Sequence, residues 1–461
     1  MEKIDCLLIG YFGGDLNFDK PKAKHALIDV EMKEFNAAIA YLGTFLHRRG
    51  FSFDYINYIE DEYELFVKKL NNKNIKSVAI STTYCLDNET VKKLVNLVRN
   101  IDPTVKIILG GPHIANLLKY TNDKEILNIM LRRISADFYV NSFQGETALV
   151  NILLSLKGEL PIHQVANIYY RSEDKYISTE TLEEDNNLEE NMVDWSLFSD
   201  RVSEVVPVRT AISCPFSCAY CNHPINAGTY RFVSVEAIEK ELNSIKNIQN
   251  IQYVDFVDDT FNVPQKRFKD ILRMIIKNKY SFKWFSYIRC QFIDDETVRL
   301  MKESGCMGSM LGIESGSQEM LNTMNKLVTV EELKRGVDLL NQYNIPTAAL
   351  FFIGFPGETQ DTVNQTIRFI EDIKPTFYDT RPWFYDPRTP ISKQSNKYGI
   401  KGFMHKWSHN TMNSSVAEQL VKETISSIKN SMQAKYTAPQ IDKLLSSGLT
   451  IEQIYVMCQT P

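Results

Sequence analysis

Three cysteines, Cys214, Cys218 and Cys221, stand in the stretch AISCPFSCAYCNHP with the spacing C-x3-C-x2-C, and Tyr220 directly precedes the last. Thiolates are soft ligands, and three of them on one short loop suit zinc or an iron–sulfur cluster. A structural zinc site takes four ligands, usually as two CxxC-like pairs. The remaining cysteines, Cys6, Cys85, Cys290, Cys306 and Cys458, are scattered singly, mostly in apolar runs that read as core strands. A [4Fe–4S] cluster held by three thiolates, with one iron left open, fits the count better.

Such a loop needs a scaffold. At 461 residues the chain is too long for one ordinary domain, and two or three are expected. A net charge of −5 argues against broad binding to a phosphate backbone, so nucleic acid is not an expected partner. No stretch approaches the roughly 20 apolar residues that span a bilayer, and the apolar run in MEKIDCLLIGYFGG is too short for a signal peptide. The expected location is the cytoplasm, whose reducing conditions keep thiols free and suit a labile cluster.

Residues 1–156 alternate short apolar runs with amphipathic stretches. CLLIG, FDYIN, SVAIST, KIILGG and DFYVN read as strands, with helical segments such as ETVKKLVNLVRN between them. Alternation of this kind predicts an α/β, doubly wound, Rossmann-like parallel sheet, whose ligands bind at the carboxyl ends of the strands. Those ends carry Ser81, Thr82 and Thr83, then Gly110, Gly111 and His113, then Gly145 and Glu146. By residue type these are turn and cap formers or ligand contacts, and both readings stand. Residues 157–203 read as a hairpin, NIYYRS and KYIST, and an acidic linker tacked down by Trp195 and Phe198.

Residues 204–395 repeat a strand and a helix six times at roughly 30-residue spacing, as in a partial TIM-like (β/α)6 barrel. Polar residues closing each apolar run are therefore the candidates for chemistry. They are Asp258 and Asp259, Arg289, Glu314 and Ser315 in GIESG, and Gly354 and Pro356 in GFPGET. Asp259 also suits a helix cap, and Arg289 also suits a structural ion pair. Trp383, Phe384 and Tyr385 read as a substrate wall or as packing. A small, mainly helical tail, 396–461, carries His405, Trp407 and His409, which suit a substrate, lid or packing role.

The cysteine loop resembles the CxxxCxΦC signature of the radical S-adenosylmethionine (SAM) superfamily, and the strand-end residues follow that family's order. The resemblance implies that Cys214, Cys218 and Cys221 hold a [4Fe–4S] cluster, with Tyr220 beside it. SAM would chelate the open iron and be cleaved reductively to a 5′-deoxyadenosyl radical. It further implies Asp258 near the SAM amino group, Arg289 on its carboxylate, Glu314 and Ser315 near the ribose, and Gly354 and Pro356 beside the adenine. The first domain is similar to the cobalamin-binding domain found ahead of many radical SAM domains. That likeness implies cobalamin contacts from Ser81, Thr82, Thr83, Gly110, Gly111, His113, Gly145 and Glu146. The DxHxxG motif that supplies a lower cobalt ligand is absent, since His25 has Ala23 two residues before it. That absence fits cobalamin bound without the histidine, or a domain that has lost its cofactor. The implied activity is that of a class B radical SAM methyltransferase acting on carbon or phosphorus of a natural-product or other small-molecule intermediate. Radical cyclisation, ring contraction or rearrangement with the same cofactors is the alternative, and a cobalamin or redox sensor is an alternative of another class. The implied partners are a small-molecule substrate and an electron donor, a reductase or a flavodoxin or ferredoxin, with no membrane.

Overall fold

The computed structural model describes residues 3–18, 32–72, 74–184, 186–450, 453–454 and 456–457. Ala23, His25 and Cys458 lie outside them. The chain forms two compact units, divided between Val202 and Ser203 except that Met32 and Lys33 belong with the second.

The first unit is built on a seven-stranded sheet. Its strands are β1 (Cys6–Ile9), β2 (Phe53–Ile56), β3 (Ser77–Ser81), β4 (Lys106–Gly110), β5 (Phe138–Val140), β6 (Ile168–Ser172) and β7 (Lys175–Ser178), in the order β2-β1-β3-β4-β5-β6-β7. The first five pair in parallel. Helices cover both faces, which is why β1 is buried at every position rather than at alternate ones. The helices start where the chain offers a side-chain acceptor: Asn36 caps Ala37–Arg48, Asp87 caps Asn88–Ile101 and Asp123 caps Lys124–Ile134. Leu7, Ile9, Val78, Ile80, Ile107 and Leu109 from the strands meet Phe66, Leu94, Val95 and Val98 from the helices in one core. Each fully buried side chain of this size contributes about 1.5–3 kcal/mol.

The linker reading of 157–203 needs correction. β6 pairs antiparallel with β5, Phe138 facing Tyr170, so the hairpin extends the first sheet. Trp195 and Phe198, both fully buried, pack edge-on to Phe35. This stretch is therefore a strap on the first unit. Its aromatic anchors outweigh the acidic composition that suggested a spacer.

The second unit holds another seven-stranded sheet. It comprises β8 (Val205–Val208), β11 (Tyr253–Phe256), β12 (Lys283–Ile288), β13 (Cys306–Glu314), β14 (Thr347–Ile353), β15 (Phe377–Pro382) and β18 (Met432–Gln433), in the order β18-β15-β14-β13-β12-β11-β8. Every neighbouring pair is parallel, and six strand–helix units run in chain order as expected. Ser234 caps the first helix, and Thr329 with Glu332 forms the reciprocal capping box opening Val330–Gln342. A two-stranded ribbon, β9 (Ala211–Ile212) with β10 (Arg231–Phe232), frames the cysteine loop.

The tail contains the helices Ser414–Ser427 and Ala438–Ser446, but the strand pattern does not stop at Tyr398. A hairpin of β16 (Lys401–Phe403) and β17 (Lys406–Ser408) follows, and β18 adds the seventh strand. Strands of two or three residues are too short to show a period in sequence. Among the described residues no helix is long and apolar enough to cross a membrane.

Candidate functional site

The loop after β9 is clamped by backbone bonds on both sides. The Ala219 N–H donates to the Met324 carbonyl at 2.8 Å, and the Ile391 N–H donates to the Ala219 carbonyl at 2.9 Å. Asn325 Nδ2 donates to the Ser217 carbonyl at 2.9 Å, and Asn222 Nδ2 to Asp386 Oδ2 at 2.5 Å. Asp386 also accepts the Arg388 N–H, so the DPRTP turn holds the residue next to Cys221. Ser213, just ahead of Cys214, takes a left-handed φ of 70° that turns the chain into the loop. Cys218 is buried and the other two thiols are partly exposed.

The residues fit an iron–sulfur cluster. Among the described residues no three His, Cys, Asp or Glu side chains gather closely enough for one ion. A cluster bound through a separate iron at each thiol requires no such gathering. Burial pushes the Cys221 thiol up to about 11, so ligation there would displace a proton.

Arg289 ends β12 beside this loop and is buried. Its Nη2 donates to Cys218 Sγ at 2.9 Å and its Nη1 to the Lys326 carbonyl at 3.1 Å, with the guanidinium 3.6 Å from the centre of the Phe216 ring. Asn262 holds the Arg289 backbone from both sides, accepting its N–H and donating to its carbonyl. Among the described residues Arg289 pairs with no acid, and a contact with the cysteine loop itself takes the place of the structural ion pair.

Asp258 is placed differently from expectation. It is buried, and its carboxylate accepts the Thr210 N–H at 2.6 Å, the Ala211 N–H at 3.0 Å and the Thr210 hydroxyl. Burial raises its pKa, an effect the Thr210 bonds oppose. These bonds fasten the chain between β8 and β9, which makes Asp258 a positioning residue for the loop rather than a contact for SAM. Asp259 is not a helix cap: it pairs with His223 Nε2 at 2.7 Å, while Thr260 Oγ1 lies 3.5 Å from Cys214 Sγ.

Glu314 closes β13 with a left-handed φ of 72°. Its Oε1 accepts from Tyr220 Oη at 2.9 Å and from Lys326 Nζ at 2.8 Å, and Lys326 also reaches Tyr220 Oη at 2.9 Å. Burial and the Glu314 carboxylate hold the Tyr220 hydroxyl well above its usual pKa. A Cβ at Gly312 would come within 2.7 Å of Glu314 Oε1, so the glycine leaves room for this triad. Lys326 escaped sequence reasoning because it sits in a loop, away from any strand end. Ser315, by contrast, turns away: its hydroxyl meets Thr366 Oγ1 at 3.2 Å and accepts the Ser317 N–H. A ribose contact from the Ser315 side chain is therefore not supported.

In GFPGET, Gly354 has φ 107°, and a Cβ there would meet Trp407 at 2.4 Å. Trp407 stacks on His409, whose Nε2 donates to the Gly354 carbonyl at 2.9 Å, while its Nδ1 accepts from the Thr411 N–H. Burial lowers the His409 pKa, in keeping with a neutral ring. Trp407 Nε1 donates to the Trp383 carbonyl, and Trp383 and Tyr385 join the same buried cluster while Phe384 is exposed. Tail and aromatic run thus brace the loop that contains Pro356, which answers the open question about His409 and Trp407 in favour of packing.

Glu358 is buried, accepts the Gly354 N–H at 2.5 Å through Oε2, and has no partner for Oε1 among the described residues. Burial raises its pKa to about 7, against the lowering effect of the Gly354 and Phe355 N–H bonds. The folded state therefore binds a proton that the unfolded chain releases above its model value of 4.5. The corresponding stability is fully present below that value and is lost as pH rises to about 7. Glu358→Gln cannot titrate, so its melting temperature relative to the parent should rise between pH 5 and 8. Parallel pH profiles for the two proteins would show that Glu358 stays ionised throughout.

Strands β12 to β15 turn alternate residues toward the helices and leave the others on the opposite face. There Tyr287 is 42% exposed, and Leu350 stands between Gly312 and Asp379. Phe352, in register with Arg381, meets the Tyr220 ring at 5.2 Å, which places this face beside the cysteine loop. Arg381 Nε donates to Asp379 at 2.7 Å. On another side of the loop, Ser217 and Ala219 help line an open depression of about 510 Å³ with Asn322, Asn325 and Lys397.

The expected cobalamin contacts in the first unit separate into two groups. Thr82 is fully buried, and its hydroxyl donates to the Gly110 carbonyl at 2.8 Å. A Cβ on Gly111, at φ 100°, would come within 3.0 Å of the Thr82 N. Both hold β3 to β4. Glu146, buried after the left-handed Gly145, accepts from Asn186 Nδ2 at 3.1 Å, and it also has a structural role. Ser81 and Thr83 share a hydroxyl contact at 2.9 Å near the surface, and His113 Nε2 lies 2.8 Å from Asn88 Oδ1 at a helix start. Gly110 adjoins Val140. Sequence reasoning missed Phe12, Tyr58 and Tyr84, whose rings stack at the same strand ends.

Residues 209–370 match the Radical SAM superfamily, and residues 24–124 match the B12 binding domain. An uncharacterized methyltransferase of Pyrococcus horikoshii is 26% identical over 314 residues, 67% of this chain and 66% of that protein. The anaerobic magnesium-protoporphyrin IX monomethyl ester cyclase of Cereibacter sphaeroides is 23% identical over 379 residues, 78% of this chain and 60% of that protein. The chain thus spans about two thirds or less of the length of these curated relatives. The structure of the radical SAM methyltransferase TsrM from Kitasatospora setae, with cobalamin and a [4Fe–4S] cluster bound, superposes with a TM-score of 0.70. That likeness covers 99% of both chains at 13% identity and shows a shared fold. This chain carries a radical SAM superfamily domain with a B12 binding domain ahead of it.

Proposed function

We propose that the protein is a cobalamin-dependent radical SAM enzyme that methylates an unactivated carbon, or phosphorus, of a small molecule. The observation that carries the reading is the clamped three-cysteine loop, set at the carboxyl ends of a parallel sheet with a buried guanidinium on Cys218. When bound, the cluster and SAM supply one-electron hydrogen abstraction, and cobalamin supplies a methyl carrier. The chain's own residues bind and orient. Cys214, Cys218 and Cys221 would hold iron, and Arg289, bonded to Cys218, would supply positive charge for the SAM carboxylate. Lys326 and Tyr220 fix the Glu314 carboxylate at the mouth of β13 for the ribose. Gly354 and Pro356, braced by Trp407 and His409, offer backbone to the adenine. The face bearing Tyr287, Leu350 and Phe352 would take the substrate.

The depression lined by Ser217 and Ala219 adjoins the cluster loop, and it suits an electron donor such as a flavodoxin, a ferredoxin or a reductase in the cytoplasm. The methyltransferase and cyclase names among the relatives favour methyl transfer and radical cyclisation in turn. The clamped loop favours either over a sensor. The test is anaerobic turnover of the reconstituted chain with SAM and a reductant. Formation of 5′-deoxyadenosine identifies an enzyme, and S-adenosylhomocysteine as co-product identifies methyl transfer. Neither product would leave the sensor, and 5′-deoxyadenosine alone would leave cyclisation or rearrangement.

A further inference from the structure

The basic side chains around the cysteine loop differ in what balances them. Lys326 pairs with Glu314 at 2.8 Å, His223 with Asp259 at 2.7 Å and Arg388 with Asp386 at 2.7 Å. Among the described residues Arg289 pairs with no acid, and its terminal nitrogens go to the Lys326 carbonyl and to Cys218 Sγ. A guanidinium keeps its proton throughout the range in which proteins fold, so this side chain is a fixed positive charge. It lies only 6% exposed, against a sulfur whose residue is 7% exposed. Burying a charge without an opposite charge is costly, which makes the contact informative. The fork is also held in place. Asn262 accepts the Arg289 N–H at 3.0 Å and donates to its carbonyl at 2.8 Å. The guanidinium lies 3.6 Å from the centre of the Phe216 ring, and Phe216 stacks in turn on Phe292, with centroids 5.6 Å apart and planes 17° apart.

We propose that Arg289 sets the reduction potential of the iron–sulfur cluster, through its N–H···S bond to Cys218 and its unbalanced positive charge. The inference rests on the radical SAM reading and deepens it, because it gives Arg289 a task that is complete before SAM arrives. For a given type of cluster, the potential is moved by hydrogen bonds to the sulfurs, by net charge and by exposure to solvent. Reduction adds one negative charge to a cluster already bound by three thiolates. A nearby cation and a donor on one of those sulfurs both favour the reduced form, and burial leaves little water to screen them. The step takes one electron from a low-potential one-electron donor. No bond of the chain forms or breaks, and the guanidinium keeps all its protons.

The test is a redox titration of the full, anaerobically reconstituted chain in the absence of SAM. Potentials are poised with sodium dithionite, and the paramagnetic resonance signal of the reduced cluster is followed. Arg289→Met, similar in length and uncharged, should lower the midpoint potential by about 59 mV, which is a tenfold change in the equilibrium constant of a one-electron couple. Phe216→Leu keeps the charge but removes the ring beneath it, and should give a smaller shift in the same direction. Phe216 is only partly buried, so this variant decides the matter even where Arg289→Met takes up no iron. Lys397→Met removes an exposed cation from the depression beside Ser217 and Ala219, and should keep the parental potential because water screens that charge. A parental potential in Phe216→Leu and in any iron-loaded Arg289→Met, or an equal shift in Lys397→Met, overturns the role of Arg289 while the cluster reading stands. A parent that gives no iron–sulfur signal overturns the cluster reading itself.

Discussion

Cys218→Ala should bring reductive SAM cleavage to background and collapse iron content, while the parent reconstitutes with about four irons and four sulfides per chain. Cys218 is the buried member of the three, so its loss cannot be made good by water or by a neighbouring exposed side chain. It is also the thiol that Arg289 contacts at 2.9 Å, so the variant strands a buried guanidinium beside an empty position. Leaving a charged donor without its partner costs about 1–3 kcal/mol or more. The second unit should therefore melt earlier, with the first unit unaffected because its core is separate. Hydroxocobalamin binding should persist in Cys218→Ala, which separates loss of the cluster from general misfolding. Zinc in the parent, with no iron-dependent absorbance, would remove the basis for the radical reading.

Arg289→Lys should weaken SAM binding about 10- to 150-fold, the equivalent of one charge-assisted hydrogen bond of about 1.5–3 kcal/mol. The fork reaches two acceptors at once, Cys218 Sγ and the Lys326 carbonyl, and lies flat on Phe216. A lysine ammonium keeps the charge, but it is a single point and cannot span both acceptors while stacking on the ring. Iron content should stay near the parental value, since all three cysteines remain. SAM affinity and 5′-deoxyadenosine formation at matched iron content are the measurements. Parental values for both would reduce Arg289 to a strut between Cys218 and the Lys326 loop.

The type of chemistry was legible in the chain itself. Three thiols on a short loop carry their meaning in spacing, because the ligands of a cluster lie next to one another in sequence. The doubly wound first sheet and the six strand–helix units were legible too, since apolar runs of four or more residues have a measurable period. What each strand-end residue does was decided by tertiary structure. Asp258, Asp259, Ser315 and Thr82 all stand where a ligand contact was expected, yet their side chains are taken by Thr210, His223, Thr366 and Gly110. A strand end sets where a residue lies, but the direction of its side chain depends on which neighbour offers a partner. Lys326 joins Tyr220 and Glu314 from more than a hundred residues beyond the first and twelve beyond the second. Phe12, Tyr58 and Tyr84 become one stack only when three parallel strands bring their loops to the same edge. Such contacts join residues far apart in the chain, and their partners are chosen by packing rather than by any local pattern.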